Sequence, residues 1–181
     1  VYNRFTSTAN SFINIFEKHP EIVLVDKHPT YESSKYGKEL ATNINAKLIE
    51  IQHHKAHFTA ILGEYDLFNK KVLGVIFDGT GYGDDAQIWG GEFFDYDKNI
   101  INRIYHFEYF DWILGDKMSK ESRLSLLALS DNNMNGILEQ KFTKTELKTY
   151  KTLLKTNKLK TSSIGRLFDA VASLLDITDY N

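Results

Sequence analysis

Residues 71–96 read KVLGVIFDGTGYGDDAQIWGGEFFDY, and this stretch decides the fold. Lys71 to Phe77 is an apolar run with few polar residues, so a strand is expected there. It leads directly into Asp78-Gly79-Thr80-Gly81-Tyr82-Gly83-Asp84-Asp85, where three glycines in five residues interrupt any regular pattern. A loop is expected over 78–85, followed by a strand over Gln87–Tyr96 and another over Ile100–Tyr109. An aspartate at the carboxyl end of an apolar strand, followed by a glycine-rich turn, is where α/β proteins hold ligands. The glycines let backbone N–H groups come close to a phosphate, and Thr80 adds a hydroxyl. The competing reading is a plain hairpin whose glycines serve only positive φ.

Working outward, Ile22 to Val25 and Ala46 to Ile51 read as two earlier strands, the first of them buried. Helices are expected over Thr6–Lys18, ended by Pro20, over 31–42, and over His53–Leu67. After residue 109 the pattern is mostly helical over 119–156, and a last helix starts near Gly165. Strand, helix, strand, helix, strand and hairpin make an α/β protein with a mixed sheet and helices packed on it. Both prolines precede residue 30, and no repeat or low-complexity linker divides the chain.

Composition narrows the function. The 181 residues carry 22 Lys plus Arg against 24 Asp plus Glu, a net charge of −2, which excludes a globally basic nucleic-acid binder and a strongly acidic tail. Aromatic residues at 13% provide enough large apolar surface for a core. There is no cysteine, so thiolate metal sites, disulfides and a cysteine nucleophile are all excluded, and a reducing cytoplasm fits. No apolar run approaches the roughly 18 residues of a membrane helix, and the opening residues lack a signal-peptide pattern. Residues 141–160 hold seven lysines against Glu146 alone, a local +6. The favoured reading is a solvated lysine face on a helix whose Leu147, Tyr150, Leu153 and Leu154 point to the core. A patch for tRNA or an acidic partner is the alternative.

Three clusters could carry chemistry. In Gln52-His53-His54-Lys55-Ala56-His57, the histidines at 53 and 57 share one helix face, and two neutral imidazoles so placed reach one divalent ion. His54 points about 100° away. A His-rich surface helix is the plainer alternative. Asp78 supplies a hard oxygen ligand to set beside the two imidazoles. In Thr161-Ser162-Ser163-Ile164-Gly165-Arg166-Leu167-Phe168-Asp169, Ser162 or Ser163 can cap the following helix. Arg166 and Asp169 stand three apart and can pair, or Asp169 can accept from ribose hydroxyls.

Taken in order, QHHKAH (52–57), GVIFDGTGYGDDAQIWGGEF (74–93) and TSSIGRLFDAVASLL (161–175) resemble the C-terminal carbamoyltransferase region of the HypF family of [NiFe]-hydrogenase maturation proteins. The Asp26-Lys27-His28-Pro29 turn and Gly115-Asp116 also match that family, whereas Ser122-Arg123-Leu124 stands where it has Pro-Trp-Arg, and Lys55 where it often has His. The resemblance implies an actin/sugar-kinase-like (ASKHA) α/β fold, with residues 1–160 a partial first lobe and 161–181 the start of a second-lobe helix. It implies transfer of a carbamoyl group from carbamoyl-adenylate, made from carbamoyl phosphate and ATP, to the C-terminal cysteine of HypE. His53, His57 and Asp78 would then ligate a divalent metal, Fe, Zn or Mg. Asp78, Gly79, Thr80, Gly81, Gly83 and Asp169 would line the nucleotide.

Partners expected on the same ground are the HypE tail, carbamoyl phosphate and ATP, with no membrane or nucleic acid, in the cytoplasm. Two rivals remain. One is a tRNA threonylcarbamoyl transferase of the related TsaD type, whose loop carries Gly-Gly-His-Thr where this chain has Asp78-Gly79-Thr80-Gly81. The other is a non-catalytic nucleotide- or metal-binding scaffold. Since Val1 is not a methionine, the sequence is expected to be a piece of a longer protein, inactive alone, with a fourth metal ligand beyond Asn181.

Overall fold

The apolar runs at 22–25, 46–51, 71–77 and 87–96 all form strands in the computed structural model, which describes residues 2–17 and 20–180. The chain divides into two units, Val1–Ala56 and His57–Asn181.

The first unit contains α1 (Tyr2–Phe16), β1 (Ile22–Asp26), α2 (Glu32–Asn43) and β2 (Lys47–Ile51). β1 and β2 are parallel, Ile22 opposite Lys47 and Asp26 opposite Ile51. Parallel neighbours need a crossover, and α2 supplies it. Its buried positions are small, Ser34, Gly37 and Ala41, so the helix lies close on the strand. A Cβ on Gly37 would collide with the Val25 side chain. β1 is less buried than expected. Val25 is buried, but Ile22 and Leu24 are 50% and 60% exposed, because alternate strand residues face opposite sides and α2 covers one of them. α1 is held to α2 by Tyr36, whose hydroxyl donates to Asn10 Oδ1 at 2.9 Å and whose ring meets Phe5 edge-on. The expected end of this helix at Lys18 lies outside the described residues.

A third helix, α3 (His53–Glu64), carries the chain from the first unit into the second. There follow β3 (Val72–Tyr82), β4 (Ile88–Asp97), β5 (Ile100–His106), β6 (Phe110–Asp111), α4 (Asp116–Lys120), α5 (Ser122–Leu129), α6 (Asn135–Lys141), α7 (Lys144–Thr156), β7 (Lys160–Thr161) and α8 (Ile164–Leu174). Residues 161–181 thus fall inside the second unit. Its sheet runs β3-β4-β7-β6 with β5 also on β4, antiparallel except for the β4–β7 pair. The two-residue strands β6 and β7 have no pattern long enough to show in the sequence.

The expected loop over 78–85 is corrected. β3 continues to Tyr82, and a bulge between Phe77 and Gly81 absorbs Asp78-Gly79-Thr80 before pairing resumes at Gly81 opposite Trp89. Bulges bend a strand and re-aim its side chains. The turn itself is confined to Gly83–Gln87, closed by Gly83 N–H donating to Gln87 O at 2.8 Å. Positive φ is not the reason for these glycines, since Gly115 is the only described glycine that adopts it. Close packing is, at least for Gly83, where a Cβ would collide with the Trp89 indole.

Two apolar cores hold this unit. Phe58 and Leu62 of α3 pack against Trp89, Phe94 and Tyr96 of β4. Leu124, Leu126 and Leu127 of α5 pack with Met118, Leu138, Phe142 and Ala170. Leu147, Tyr150 and Leu154 of α7 lean on that second core as expected, but Leu153 is 41% exposed because it falls off their stripe. Thr143 and Glu146 start α7 with a reciprocal capping box.

Candidate metal centre

α3 begins immediately after β2, and Gln52 caps it by accepting the Lys55 N–H on Oε1 at 2.9 Å. His53 and His57 then stand one turn apart on the same face. His53 Nδ1 lies 2.9 Å from Asp26 Oδ2. His57 Nε2 lies 3.8 Å from Asp78 Oδ2, in the β3 bulge, and the other Asp78 oxygen accepts Gly79 N–H at 2.6 Å. One potential ligand atom from each of His53, His57 and Asp78 falls within 4.8 Å of the other two. Donors around a single tetrahedral or octahedral ion stand roughly 3–3.5 Å apart, so side-chain adjustments of about 1 Å close the set. Two imidazoles and one carboxylate suit Fe or Zn better than Mg, which prefers an all-oxygen shell. His54 is fully buried with Nδ1 3.1 Å from Gln52 Nε2, so it serves the packing of α3.

The remaining expected residues are placed as follows. Gly79 adjoins Asp78, and a Cβ there would meet nothing within 4 Å, while Gly81 is buried and Thr80 half-buried in the bulge. Asp169 pairs with Arg166 at 2.9 Å on α8 and is not part of the metal-donor group. Ser163 rather than Ser162 caps α8, accepting Arg166 N–H at 3.2 Å. The same hydroxyl donates to the Gly79 carbonyl at 2.7 Å, which ties the start of α8 to the bulge. A Cβ on Gly165 would lie 3.0 Å from Gly79 Cα, so the contact is close.

Behind this junction lies a polar network that the sequence reading did not single out. Glu92, on β4, is fully buried. Its Oε1 accepts Gly90 N–H (3.0 Å), Gly91 N–H (3.1 Å) and Ser162 O–H (2.5 Å), and its Oε2 accepts Arg103 Nε–H at 2.6 Å. Burial alone pushes this carboxyl upward, but the bonds from Arg103, Ser162 and Gly90 outweigh it and hold the pKa below the usual glutamate value. The Arg103 guanidinium stacks 3.7 Å over the Trp89 ring and donates to the Tyr109 hydroxyl. Tyr109 in turn donates to Asp85 at 2.6 Å. Burial and that bond push the Tyr109 phenol up to about 12. The available signal was an acid set between Gly-Gly and Phe-Phe on an apolar strand, a position that requires partners. In the sequence Asp26 belongs to a turn, and only the fold brings it to His53.

Two family models match the chain: the HypF Kae1-like domain over residues 1–64, and the carbamoyltransferase, Kae1-like domain, second subdomain, over residues 74–181. The chain belongs to the HypF carbamoyltransferase family. A carbamoyltransferase HypF of Synechocystis sp. is 29% identical, over 97% of this chain and 25% of its own length. Another, from Rhodobacter capsulatus, is 32% identical over 97% and 24%. The chain therefore spans about a quarter of these relatives. The crystal structure of full-length HypF in the phosphate- and nucleotide-bound form superposes with a TM-score of 0.89 at 32% identity, over 99% of this chain and 24% of that one. The T. kodakarensis HypF structure gives 0.78 at 28% identity, over 89% and 23%. The α/β, ASKHA-like fold implied by the sequence is thus the fold of this HypF segment. No helix among the described residues is long and apolar enough to cross a membrane.

Proposed function

We propose that this chain forms the part of a HypF-type carbamoyltransferase in which the carbamoyl group passes from carbamoyl-adenylate to the C-terminal cysteine of HypE. The donor would be made elsewhere in the longer enzyme from carbamoyl phosphate and ATP. The observation that carries this reading is the convergence of His53, His57 and Asp78 beside the bulge at Gly79-Thr80-Gly81. In the transfer, the incoming thiolate attacks the carbamoyl carbon, the bond from that carbon to the phosphate oxygen breaks, and AMP leaves with the electron pair. A divalent cation held by these three side chains would supply Lewis acidity to the carbamoyl or phosphate oxygens. The chain's own contribution is positional. β pairing and the Ser163 hydroxyl fix the Asp78-Gly79 backbone, α3 fixes the spacing of the two imidazoles, and Asp169 offers a carboxylate to ribose hydroxyls. No side chain has to act as a nucleophile, in keeping with the absence of cysteine.

Calorimetric titration of the 181-residue chain with Zn²⁺, Fe²⁺ and Mg²⁺, beside a His53→Ala/His57→Ala variant, tests the reading. Binding by the parent and its loss in the variant is expected. Equal binding by both would overturn the metal centre and favour a scaffold with a plain His-rich helix.

A further inference from the structure

Asp26 ends β1 with its carboxylate held on both oxygens. Oδ1 accepts the His28 N–H at 2.7 Å, and Oδ2 lies 2.9 Å from His53 Nδ1. Its carbonyl accepts from Ser34 Oγ at 2.8 Å, a hydroxyl that is itself buried on α2. β1 continues to pair with β2 up to Asp26 opposite Ile51, and the next amide, Lys27 N–H, donates to Ile51 O at 2.9 Å. The carboxylate is therefore set in place before any ligand arrives.

A carboxylate oxygen only accepts, so the proton of a neutral His53 ring sits on Nδ1 and its lone pair on Nε2. From this we infer that Asp26 is a positioning residue for the proposed metal centre: it selects the His53 tautomer in which Nε2 can coordinate, and it fixes the ring plane. The inference rests on the metal reading above. An acidic partner behind a ligating imidazole both orients the ring and raises its basicity, and loss of such a partner typically weakens metal affinity about 10–100-fold. The His57 imidazole is 57% exposed and lies with Nε2 3.8 Å from Asp78 Oδ2.

The discriminating substitution is Asp26→Asn. The fixed His28 N–H demands an acceptor, so the amide oxygen stays on that side and the NH₂ turns toward His53 Nδ1. There it donates, which moves the ring proton to Nε2 and removes the coordinating lone pair. Volume and the local turn are preserved. Two measurements on the full 181-residue chain test this. ¹⁵N imidazole shifts of the metal-free chain should show His53 as the Nδ1–H tautomer in the parent and shifted toward Nε2–H in Asp26→Asn. Zn²⁺ titration against a competing chelator should show about 10–100-fold weaker binding in the variant. In a His53→Ala background Asp26→Asn should have no further effect on Zn²⁺ affinity, whereas a purely structural role would still lower it.

A parent that binds no Zn²⁺ sinks the metal centre itself and this role with it. A parent that binds, with an Asp26→Asn variant within about twofold and an unchanged His53 tautomer, sinks the positioning role alone.

Discussion

Replacing Glu92 by glutamine removes the charge from a fully buried carboxylate whose acceptor sites are occupied by four donors. Three of them converge on Oε1, so the amide oxygen of glutamine must take that side. Its NH₂ is then directed at Arg103 Nε–H, donor against donor. Removing one partner of a buried ion pair typically costs about 3–5 kcal/mol. Arg103 retains the Tyr109 hydroxyl at 3.0 Å and the Trp89 ring face at 3.7 Å, which places this case at the lower end, about 3 kcal/mol. At about 2–4 °C per kcal/mol for a chain of this size, Tm should fall by about 6–12 °C in a calorimetric melt. Arg103→Met should cost a comparable amount, because it strands the Glu92 charge. The double variant should lose less than the sum of the two, since neither charge is then left alone. A Glu92→Gln chain melting within about 2 °C of the parent, or strictly additive single effects, would refute the view that a charged, paired Glu92 holds β4 to β5 and to the start of α8.

Two further outcomes concern the hydrogen-bonded carboxylates and the close packing at Gly90. Glu92, Asp85 and Asp179 are all held below the usual carboxylate range by hydrogen bonds and neighbouring cations that outweigh their burial. Each binds fewer protons folded than unfolded, so its stabilisation is complete above its unfolded pKa and is lost as pH falls through the folded one. Tm should stay level down to about pH 5 and drop steeply below about pH 4, with a shallower drop in Glu92→Gln, and a parent Tm unchanged at pH 3 would contradict this. A Gly90→Ala substitution puts a Cβ 2.6 Å from the Asp78 carbonyl oxygen and 2.9 Å from Ser163 Cα, both backbone atoms that cannot swing aside. It should destabilise the chain by about 1–3 kcal/mol and weaken Zn²⁺ binding through displacement of Asp78, and a parental Tm would show slack at this contact.

Much of this architecture was legible before any coordinates, and the exceptions have physical causes. Alternation and apolar runs located β1 to β5, and the three-and-four spacing of Leu147, Tyr150 and Leu154 located the inner face of α7. The His53/His57 pair was legible because helical periodicity is local. What failed was the inference from composition to conformation at 78–85. Glycines suggest a loop, yet Gly79 and Gly81 stay within β3, and Gly83, at the turn, is set so close to the Trp89 indole that a Cβ would collide with it. Leu153 departs from its expected place because an apolar residue one step off a helical stripe looks the same in sequence as one on it. Contacts such as Glu92 with Ser162, 70 positions apart, leave no periodic trace.

The strand at 78–82 also changes what kind of site this can be. A carboxylate on a free glycine loop would have to be ordered by its ligand, and the entropy lost on ordering would weaken binding. Asp78 instead sits in a bulge flanked by paired residues, Phe77 opposite Gly91 and Gly81 opposite Trp89, with the Gly79 carbonyl held by Ser163. Ser163 is fixed in its turn by the α8 cap, and its neighbour Ser162 by the buried Glu92. On the helical side, Gln52 caps the turn that carries His53, and Asp26 holds the His53 ring. The proposed donors thus stand on regular structure, and Asp78 and His53 are supported from behind by buried or partly buried polar groups. Sites built this way keep their geometry to fractions of an ångström. Substitutions in the supporting groups should therefore alter ligand affinity even where no ligand is touched, and their effects should track displacement of Asp78 or His53 rather than global stability.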